Sequence, residues 1–365
     1  MYNFWKSARR WLPGVLISLV AIAAILYFVD LQRFVDAIRS ANYWLLLIGF
    51  ASSFIWLAVR AIVWRTILRE RASYKDVFLT LCEGYLLNNF LPFRLGEIGR
   101  AFLLGRKSKL GFMEVLPTII IERILDLAFA AVILLSAVPF VVGAAGAGKI
   151  AIIIGGVMVV GLVVLYILAR NRDWALGLFR RISARWPALQ ERGGDFLASL
   201  FLGLSILTDG WLFLRVLLWM TLDWAISILQ FHILILAFFP QATLTWSLFG
   251  LGAVAFGNAI PSLPGAVGTF EGAFGGAITL LGGDQSTALA AALTVHLFNY
   301  LSTGIIGLYA LSSEGETLMG IYRQLRKKQV SLRESPPGAD EAIPDSSEGI
   351  ASVASLPPID TEKKE

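Results

Sequence analysis

Apolar runs long enough to cross a lipid bilayer recur along the chain, and they exclude an ordinary water-soluble fold. A membrane-spanning helix needs roughly 20 predominantly apolar residues. Runs of about that length cover residues 12–29, 43–68, 115–142, 150–169, 211–239 and 286–311. Hydrophobic residues make up 57% of the sequence and charged residues only 16%, a balance typical of polytopic membrane proteins. The sequence therefore predicts an all-α polytopic membrane protein with about six full spans.

Basic residues between the apolar runs indicate how the chain is oriented. They lie just outside both ends of the apolar region: Lys6, Arg9 and Arg10 before it, and Arg323, Arg326, Lys327 and Lys328 after it. Because cytoplasmic loops are rich in Lys and Arg, both termini are predicted to be cytoplasmic, in a multi-pass protein of the cell (inner) membrane. Residues 30–42 are predicted to be an outside loop, and residues 170–209 an inside segment with a helix on the membrane surface. We expect a membrane domain over residues 1–330 and a disordered cytoplasmic tail over residues 331–365.

A polar stretch, residues 89–100, adjoins an apolar run that is too short for a comfortable crossing. It reads Asn-Phe-Leu-Pro-Phe-Arg-Leu-Gly-Glu-Ile-Gly-Arg, and it follows the run 77–90. Positive charge stands on both sides of this segment, so both of its ends prefer the cytoplasm and a re-entrant helical hairpin is predicted. Each charge near the bilayer centre costs roughly 2.5–3.5 kcal/mol, so charges held there indicate function. The candidate substrate-binding residues are Asn89, Pro92, Arg94, Gly96, Glu97 and Arg100.

A second stretch, residues 258–271, repeats this pattern as Asn-Ala-Ile-Pro-Ser-Leu-Pro-Gly-Ala-Val-Gly-Thr-Phe-Glu. Both stretches open with Asn-x-(Leu/Ile)-Pro, and both reach a Gly and a Glu within the following turns. Three full spans separate them, so they should enter the membrane from opposite sides, as the inverted repeats of many secondary transporters do. The sequence therefore predicts two inverted re-entrant hairpins that meet near the midplane. The candidate substrate-binding residues here are Asn258, Pro261, Pro264, Gly265, Gly268 and Glu271.

The charges of the first stretch suit an anionic head group. Arg94, Glu97 and Arg100 recur every three residues, which places them along one face of a helix. Arginine binds phosphate through two parallel hydrogen bonds, and Glu97 would orient the arginines or pair with a second cation. The alternative is an interfacial helix whose arginines touch lipid phosphates without selectivity.

A charged motif in the third span admits two interpretations. Glu122, Arg123 and Asp126 fall within about one helical turn, so they could form a local ion pair that holds two helices together. One of the acids could instead balance Arg94 or Arg100 in the empty state and release it when substrate arrives. Both interpretations make these three residues candidates for the substrate site.

Other polar residues inside apolar runs have simpler explanations available. Glu271 would either cap the helix that it opens or bind a proton or cation within the membrane. Arg60 and Asp223 lie well inside their spans and could pair with each other. His232 and His296 are expected to be packed, hydrogen-bonded histidines. Two distant histidines and a single cysteine predict no metal site, no disulfide and no cofactor, and nothing in the charge pattern indicates a nucleic-acid partner.

Three motifs resemble those of the flippase-like integral membrane proteins, which include the transmembrane region of lysylphosphatidylglycerol synthases and related uncharacterised inner-membrane proteins. The motifs are Asn89-x-Leu-Pro-x-Arg-x-Gly-Glu97, Glu122-Arg-x-x-Asp126 and Pro261-x-x-Pro-Gly-x-x-Gly-x-x-Glu271. The resemblance covers about residues 12–311 and implies a polytopic helical fold with re-entrant segments. It also implies movement of a lipid or lipid-linked head group between leaflets. The last span in many relatives carries an Arg where His296 stands here.

The function predicted is a membrane transporter or flippase for an anionic lipid, such as a phospholipid or a polyprenyl-phosphate-linked head group. Its partners would be membrane lipids and lipid-biosynthesis enzymes. Full synthases of the resembled type carry an acyltransferase-like domain after the membrane part, and the residues that follow 311 here do not resemble one, so we expect no such enzyme activity. Two alternatives stay open. One is a lipid-modifying transferase that uses Glu122 or Asp126 as a base, and the other is a membrane anchor that holds a glycosyltransferase of envelope lipid synthesis through residues 170–192.

Overall fold

The structure, a computed structural model, describes residues 30–91, 94–108, 110–142, 209–260 and 264–313, with a few isolated residues between 156 and 181. Over these ranges the fold is entirely α-helical apart from turns and one short 3-10 turn, Pro264–Ala266. The helices are α1 (Leu31–Ser40), α2 (Tyr43–Ile67), α3 (Tyr74–Phe90), α4 (Leu95–Lys107), α5 (Phe112–Val142), α6 (Gly210–Leu236), α7 (Leu244–Ala259), α8 (Thr269–Leu280) and α9 (Gln285–Ser313). The all-α class predicted from the sequence is confirmed for this part of the chain.

Four of the described helices, α2, α5, α6 and α9, are long and apolar enough to cross a membrane. They coincide with four of the six spans predicted from the sequence. The other two predicted spans, residues 12–29 and 150–169, lie outside the described residues. So do the tail over residues 331–365 and nearly all of the segment 170–209. The described part of the chain therefore supports a polytopic protein.

Residues 30–42 form helix α1 rather than the loop that their charges suggested. The Asp30 carboxylate accepts hydrogen bonds from the backbone N–H groups of Gln32 and Arg33, which begins the helix as an N-cap. The helix packs against α9, where the Asp30 backbone N–H donates to Ser286 Oγ at 3.1 Å. Ala37 is the buried residue of α1, although Leu31, Phe34, Val35 and Ile38 recur at helical spacing along it.

Helices α3 and α4 form an antiparallel pair joined by a short turn. Arg94, the residue before α4, has a left-handed backbone with φ of 52°. The two helices touch at Gly84 and Gly96, because a Cβ atom on Gly96 would lie 2.1 Å from the Gly84 carbonyl oxygen. The 17 residues of α3 extend only about 26 Å at 1.5 Å per residue. This is less than the roughly 30 Å of a bilayer hydrocarbon core.

Helices α7 and α8 form a second antiparallel pair of similar construction. A Cβ atom on Gly257 of α7 would lie 2.6 Å from Ala273 Cβ of α8, so the helices approach closely. The 3-10 turn between them contains Gly265 with φ of 69°. A Cβ atom there would also lie 1.9 Å from the Tyr300 hydroxyl oxygen. Only glycine suits both the backbone conformation and the space at this position.

The same order of elements occurs twice along the described chain: a long helix, two short helices and a second long helix. The lengths are 25, 17, 13 and 31 residues for α2 to α5, and 27, 16, 12 and 29 residues for α6 to α9. The first long helices, α2 and α6, pack against each other and run antiparallel. Near one end, the Asn42 backbone N–H donates to the Ala237 carbonyl oxygen at 2.9 Å. Near the other end, Arg69 pairs with Asp209 at 3.6 Å.

Packing between the two sets of four helices is reciprocal. Helix α3 of the first set packs against α9, the last helix of the second set. Helix α7 of the second set packs against α5, the last helix of the first. Each helical pair is therefore enclosed partly by its own long helices and partly by a long helix of the other set. This arrangement brings polar residues of both pairs into the interior of the described region.

Candidate functional site

Seven charged side chains from four helices meet in the interior, and we call them the charge cluster. They are Arg60 on α2, Glu97 and Arg100 on α4, Glu122, Arg123 and Asp126 on α5, and Asp223 on α6. Burial of an ion costs roughly several kcal/mol unless ion-pair partners and hydrogen bonds offset the loss of hydration. The cluster meets this requirement by placing each arginine among carboxylates from more than one position.

Arg60 joins three helices through its guanidinium group. Its Nη2 atom lies 2.7 Å from Glu122 Oε1, and its Nη1 atom donates to Asp223 Oδ2 at 3.1 Å. Both Nη atoms also donate hydrogen bonds to the Asp126 carboxylate. The Arg60–Asp223 pair is the one that the sequence left open. The two acids of α5 complete the environment of Arg60, which the sequence did not predict.

Arg100 is fully buried and its terminal nitrogens are fully engaged. Nη1 donates to Glu97 Oε2 at 3.0 Å, and Nη2 donates to Glu122 Oε2 at 2.9 Å. The guanidinium carbon lies 4.0 Å from the ring centroid of Trp64, close enough for a cation–π contact. This arrangement leaves Arg100 as a counter-ion for Glu97 and Glu122, with no exposed surface to offer a ligand.

Arg123 has two buried nitrogens without an acceptor among the described residues, whereas Arg60 and Arg100 each have one, Nε. Its Nη1 atom donates to Asp126 Oδ2 at 3.2 Å. Its Nη2 atom lies 2.8 Å from Glu97 Oε1, but neither Nη2 nor Nε has a hydrogen-bond acceptor among the described residues. The side chain is 30% exposed, whereas that of Arg100 is not exposed at all. Because Nε and Nη2 are themselves buried, a further anionic partner would have to displace Glu97 to reach them.

Arg94 connects the two helical pairs. Its guanidinium group donates to the backbone carbonyl oxygen of Asn258, at the end of α7. On the same side of the molecule, Asn89 donates from Nδ2 to Thr303 Oγ1 of α9 at 3.1 Å. The Asn258 side-chain oxygen is buried without a donor among the described residues. The two stretches singled out in the sequence therefore meet in the structure, although Pro92 and Pro261 lie outside the described residues.

Glu271 and His296 form a second polar site in the other set of helices. Glu271 Oε1 lies 2.5 Å from His296 Nδ1, and Glu271 Oε2 accepts from the Gly268 backbone N–H at 2.7 Å. The second ring nitrogen, His296 Nε2, lies 2.8 Å from the Gly265 carbonyl oxygen. Glu271 thus caps α8, as one interpretation of the sequence proposed, and it also pairs with a histidine that was expected to be hydrogen-bonded. The pairing of these two residues was not predicted.

The chain is similar to a known family of membrane proteins. The profile described as the lysylphosphatidylglycerol synthase TM region matches residues 11–307. The chain belongs to this family. A UPF0104 membrane protein of Methanothermobacter thermautotrophicus is 24% identical over 338 residues, which cover 84% of this chain and 97% of that protein. A UPF0104 membrane protein of Methanocaldococcus jannaschii is 24% identical over 119 residues, which cover 31% of this chain and 35% of that protein, about a third of its length.

No solved structure matches the chain. The family resemblance inferred from the three sequence motifs is confirmed by the profile match. Together with the long apolar helices, family membership establishes a multi-pass membrane protein. Within this family member, the charged residues of the first two motifs lie in or beside the charge cluster. The third motif supplies Glu271 itself, and its Gly265 and Gly268 contact the Glu271–His296 pair through their backbone.

One buried ion pair of this family member escaped the sequence analysis. Glu83 of α3 is fully buried, and its Oε2 atom lies 2.7 Å from Lys107 Nζ of α4. The Lys107 ammonium also donates to Thr80 Oγ1 at 3.0 Å. A charged residue in the middle of the apolar run 77–90 was the available signal. It becomes informative only when α3 and α4 are treated as a pair, which places Lys107 opposite Glu83.

Proposed function

We propose that this chain moves an anionic lipid or a lipid-linked head group between the two leaflets of the membrane, and that it acts as a flippase rather than an enzyme. The observation that carries the proposal is the charge cluster, which holds three arginines and four carboxylates among apolar helices. Ionisable residues inside a membrane protein are costly and usually mark a pathway for an ion or a polar substrate. Family membership agrees with a membrane role and leaves the substrate open.

We further propose that α3–α4 and α7–α8 are re-entrant hairpins that enter from opposite sides and form an inverted repeat. Four helices of 12–17 residues are about 18–26 Å long, which is short for a crossing. The antiparallel packing of α2 and α6, and the repeated order of elements, fit a two-fold relation of this kind. In this arrangement both termini face the cytoplasm and the protein resides in the cell (inner) membrane.

Arg94 and Arg123 are the best candidates to hold the phosphate of the substrate. Arg94 is exposed and donates to a backbone carbonyl oxygen, and the Arg123 side chain is 30% exposed. Two arginines can surround a phosphate with charge-assisted hydrogen bonds. Arg100, which the sequence suggested for this task, is already paired with Glu97 and Glu122. We assign it instead to the support of Glu97.

Glu97 is well placed to exchange partners during transport. It lies between Arg100 and Arg123, and the Asn88 side-chain amide donates to its Oε1 atom at 3.4 Å. An incoming phosphate would compete with Glu97 for Arg123, while Arg100 keeps the displaced carboxylate paired. Substrate binding would therefore loosen the contact between α4 and α5 without leaving a buried charge alone. One interpretation of the sequence gave such an empty-state role to Glu122 or Asp126, opposite Arg94 or Arg100; we assign it instead to Glu97, opposite Arg123.

The test is lipid movement in vesicles of phosphatidylcholine that contain the purified protein. Fluorescently labelled phosphatidylglycerol and phosphatidylcholine are compared as anionic and zwitterionic probes. We expect the anionic probe to cross faster than in protein-free vesicles, and Arg123→Gln or Arg94→Gln to slow it by about tenfold or more, the loss expected for a charge-assisted hydrogen bond. The control is Arg71→Gln, which removes an exposed arginine that pairs with Glu114 at 2.8 Å.

Three outcomes would count against the proposal. The first is that no anionic lipid, including a labelled polyprenyl phosphate, crosses faster than in empty vesicles. The second is that the control variant slows transport as much as the two site variants do. The third is that mass spectrometry detects a modified lipid when a donor substrate is supplied, which would favour the transferase alternative. Copurification of lipid-biosynthesis enzymes with the protein would test the proposed partners, and it does not decide among these outcomes.

A further inference from the structure

We propose that Glu271 and His296 form a proton-binding site, and that its proton drives the lipid movement proposed above. The step that the proton would drive is the lipid movement proposed above, so this part of the inference rests on the proposed function. The site itself stands on geometry. Both ring nitrogens of His296 face oxygen acceptors, the Glu271 carboxylate at 2.5 Å and the Gly265 carbonyl at 2.8 Å.

This geometry requires a proton between the two side chains. A neutral imidazole carries one N–H, and both ring nitrogens face an oxygen that accepts when Glu271 is ionised. Whichever nitrogen carries the N–H, the lone pair of the other would face an oxygen at 2.5 or 2.8 Å, which is repulsive. The contact becomes attractive when one further proton resides on His296 or on Glu271. The pair thus holds one exchangeable proton and is neutral as a whole.

The corresponding position in the first set of helices carries a permanent charge. Glu97 is the third residue of α4 and Glu271 is the third residue of α8. Arg123 is the twelfth residue of α5, and His296 is the twelfth residue of α9. Glu97 and Arg123 lie 2.8 Å apart, as Glu271 and His296 lie 2.5 Å apart. The two sets therefore contain the same acid–base pair, with a fixed cation in one and a titratable base in the other.

The surroundings isolate the pair from other charges. Glu271 is 4% exposed and His296 is 6% exposed. The ring of Phe270 stacks on the imidazole at 4.4 Å, and Tyr300 lies at the same distance on α9. Helix α7, which packs against α8, carries no ionisable side chain between Leu244 and Ala259. Among the described residues, no other ionised side chain lies within salt-bridge distance of the pair.

The helices that pack against α9 direct their interior ionisable groups to other partners. On α3, Glu83 pairs with Lys107 of α4. On α2 and α6, Arg60 pairs with Asp223, and His232 contacts Ser247 Oγ at 3.0 Å. The charges of α1 that lie near α9 are exposed ones: Arg33, Asp36 and Arg39. Tyr300 is therefore the titratable group next to the pair, and its hydroxyl donates to the Gly265 carbonyl oxygen at 3.0 Å.

Loss of the proton has a direct structural consequence at the meeting point of the two hairpins. The remaining charge on Glu271 would repel the His296 lone pair and separate α8 from α9. His296 and Tyr300 together hold the Gly265 carbonyl oxygen, so the 3-10 turn would loosen as the ring moves. The same hairpin presents the Asn258 carbonyl oxygen to Arg94. Proton release would in this way reach the proposed phosphate site through the contact of α8 with α7 at Ala273 and Gly257.

Two measurements test the inference, and the first needs no transport. The chain contains only two histidines, so nitrogen-15-labelled histidine gives two sets of ring signals. In the His232→Gln protein, we expect the remaining ring of His296 to carry protons on both nitrogens, or to share one with Glu271, near neutral pH. Glu271→Gln should remove that proton and give an ordinary neutral imidazole. An Nδ1 signal that is the same in both proteins, with neither a proton on Nδ1 nor a hydrogen bond to Nδ1, overturns the proton site.

The second measurement is lipid movement under a pH gradient in the same vesicles. We expect one direction of a gradient of one pH unit to accelerate movement by up to about tenfold, the ratio of proton activities, and the reverse gradient to slow it. His296→Arg, which copies the fixed pair of the first set, should lose this response, and His232→Gln should keep it. Gradient-independent movement by the native protein overturns the coupling and leaves the proposed function standing. Absence of lipid movement overturns the proposed function, and the coupling with it.

Discussion

Arg60 is the residue on which the three long helices around the charge cluster depend most. It contacts Glu122 and Asp126 on α5 and Asp223 on α6, and only 3% of its side chain is exposed. Arg60→Met would leave these carboxylates buried without their shared cation. Removal of one partner of a buried ion pair costs about 3–5 kcal/mol. We therefore expect a large fall in the thermal unfolding temperature of the detergent-solubilised protein.

The exposed Arg33 supplies a matched control for this substitution. Arg33 pairs with Asp284 at 3.5 Å, but 69% of its side chain is exposed, so Arg33→Met should change the stability by less than about 1 kcal/mol. The double variant Arg60→Met with Asp223→Leu removes one of the stranded acids and should recover part of the loss. Equal effects of Arg60→Met and Arg33→Met would contradict this account of the cluster.

Gly96 decides whether α3 and α4 can pack as they do. In Gly96→Ala, the new Cβ atom would lie 2.1 Å from the Gly84 carbonyl oxygen and 2.5 Å from Asn88 Oδ1. Backbone cannot yield as a flexible side chain can, so we expect the hairpin to separate at a cost of about 1–3 kcal/mol. Gly276→Ala on α8 is the control, because nothing lies within 4 Å of its Cβ position. Thermal unfolding that ranks Gly276→Ala below Gly96→Ala in stability would refute the argument.

At the scale of elements, the long helices were accessible from sequence because length and apolarity are local properties. The partners inside the charge cluster were not, since Arg60 and Asp223 are 163 residues apart and either could have found another charge. Helix α1 was missed for a different reason. Leu31, Phe34, Val35 and Ile38 recur at helical spacing, but the charges between them suggested a loop. Gly96 was predicted to be a substrate-binding residue; in the structure it lets α4 pack against α3 at Gly84, a contact that the sequence analysis did not predict.

The start of α9 provides a pH-dependent element outside the apolar spans. Thr287 donates to Asp284 Oδ2 from its backbone N–H at 2.9 Å and from its hydroxyl at 2.8 Å. These bonds, with the nearby Arg33, hold the pKa of the Asp284 carboxyl below its ordinary value. A carboxyl whose pKa is lowered by folding stabilises the folded protein above its unfolded pKa of about 3.9, and this contribution is lost as the pH falls through the folded pKa.

Asp284→Ala should therefore loosen the first turn of α9 at neutral pH and matter less in acid. We expect a cost of about 1 kcal/mol, as for other N-cap carboxylates, and a smaller difference from the native protein near pH 3. Hydrogen exchange of the amides at the start of α9 measures it. Asp36→Ala, at an exposed position of α1, serves as the comparison. A cost that stays constant from neutral to acidic pH would exclude the ionised cap as its source.

At the scale of the whole molecule, the repeated order of elements places the charge cluster and the Glu271–His296 pair at corresponding positions in the two halves. A motif of a few residues in each half was the sequence signal, and it located the two turns that meet at Arg94 and Asn258. What the sequence could not supply was the reciprocal packing of α3 on α9 and α7 on α5, which depends on contacts between halves. Because each hairpin rests on a long helix of the other half, packing contacts connect the two polar sites.

The same packing leads to a prediction about sidedness. If the two hairpins enter from opposite sides, then exposed positions at the open end of α3–α4 face the cytoplasm, and those at the open end of α7–α8 face outward. Cys82 is the only cysteine and is buried, so Cys82→Ser gives a suitable background for single cysteines. Arg71→Cys and Arg106→Cys should react with an impermeant thiol reagent only in inside-out vesicles. Gln241→Cys and Gln285→Cys should react on intact cells.

Reaction of all four positions from one side would place both hairpins on the same face and contradict the inverted arrangement. It would also separate the two proposals by their dependence on topology. The proton shared by Glu271 and His296 follows from contacts within one half, so it would survive such a result. The proposal that Arg94 and Arg123 are exposed alternately to the two sides would not survive it, because a substrate that is carried between leaflets must reach one site from both sides. Sidedness is therefore the measurement on which the transport mechanism, as distinct from the proton site, depends.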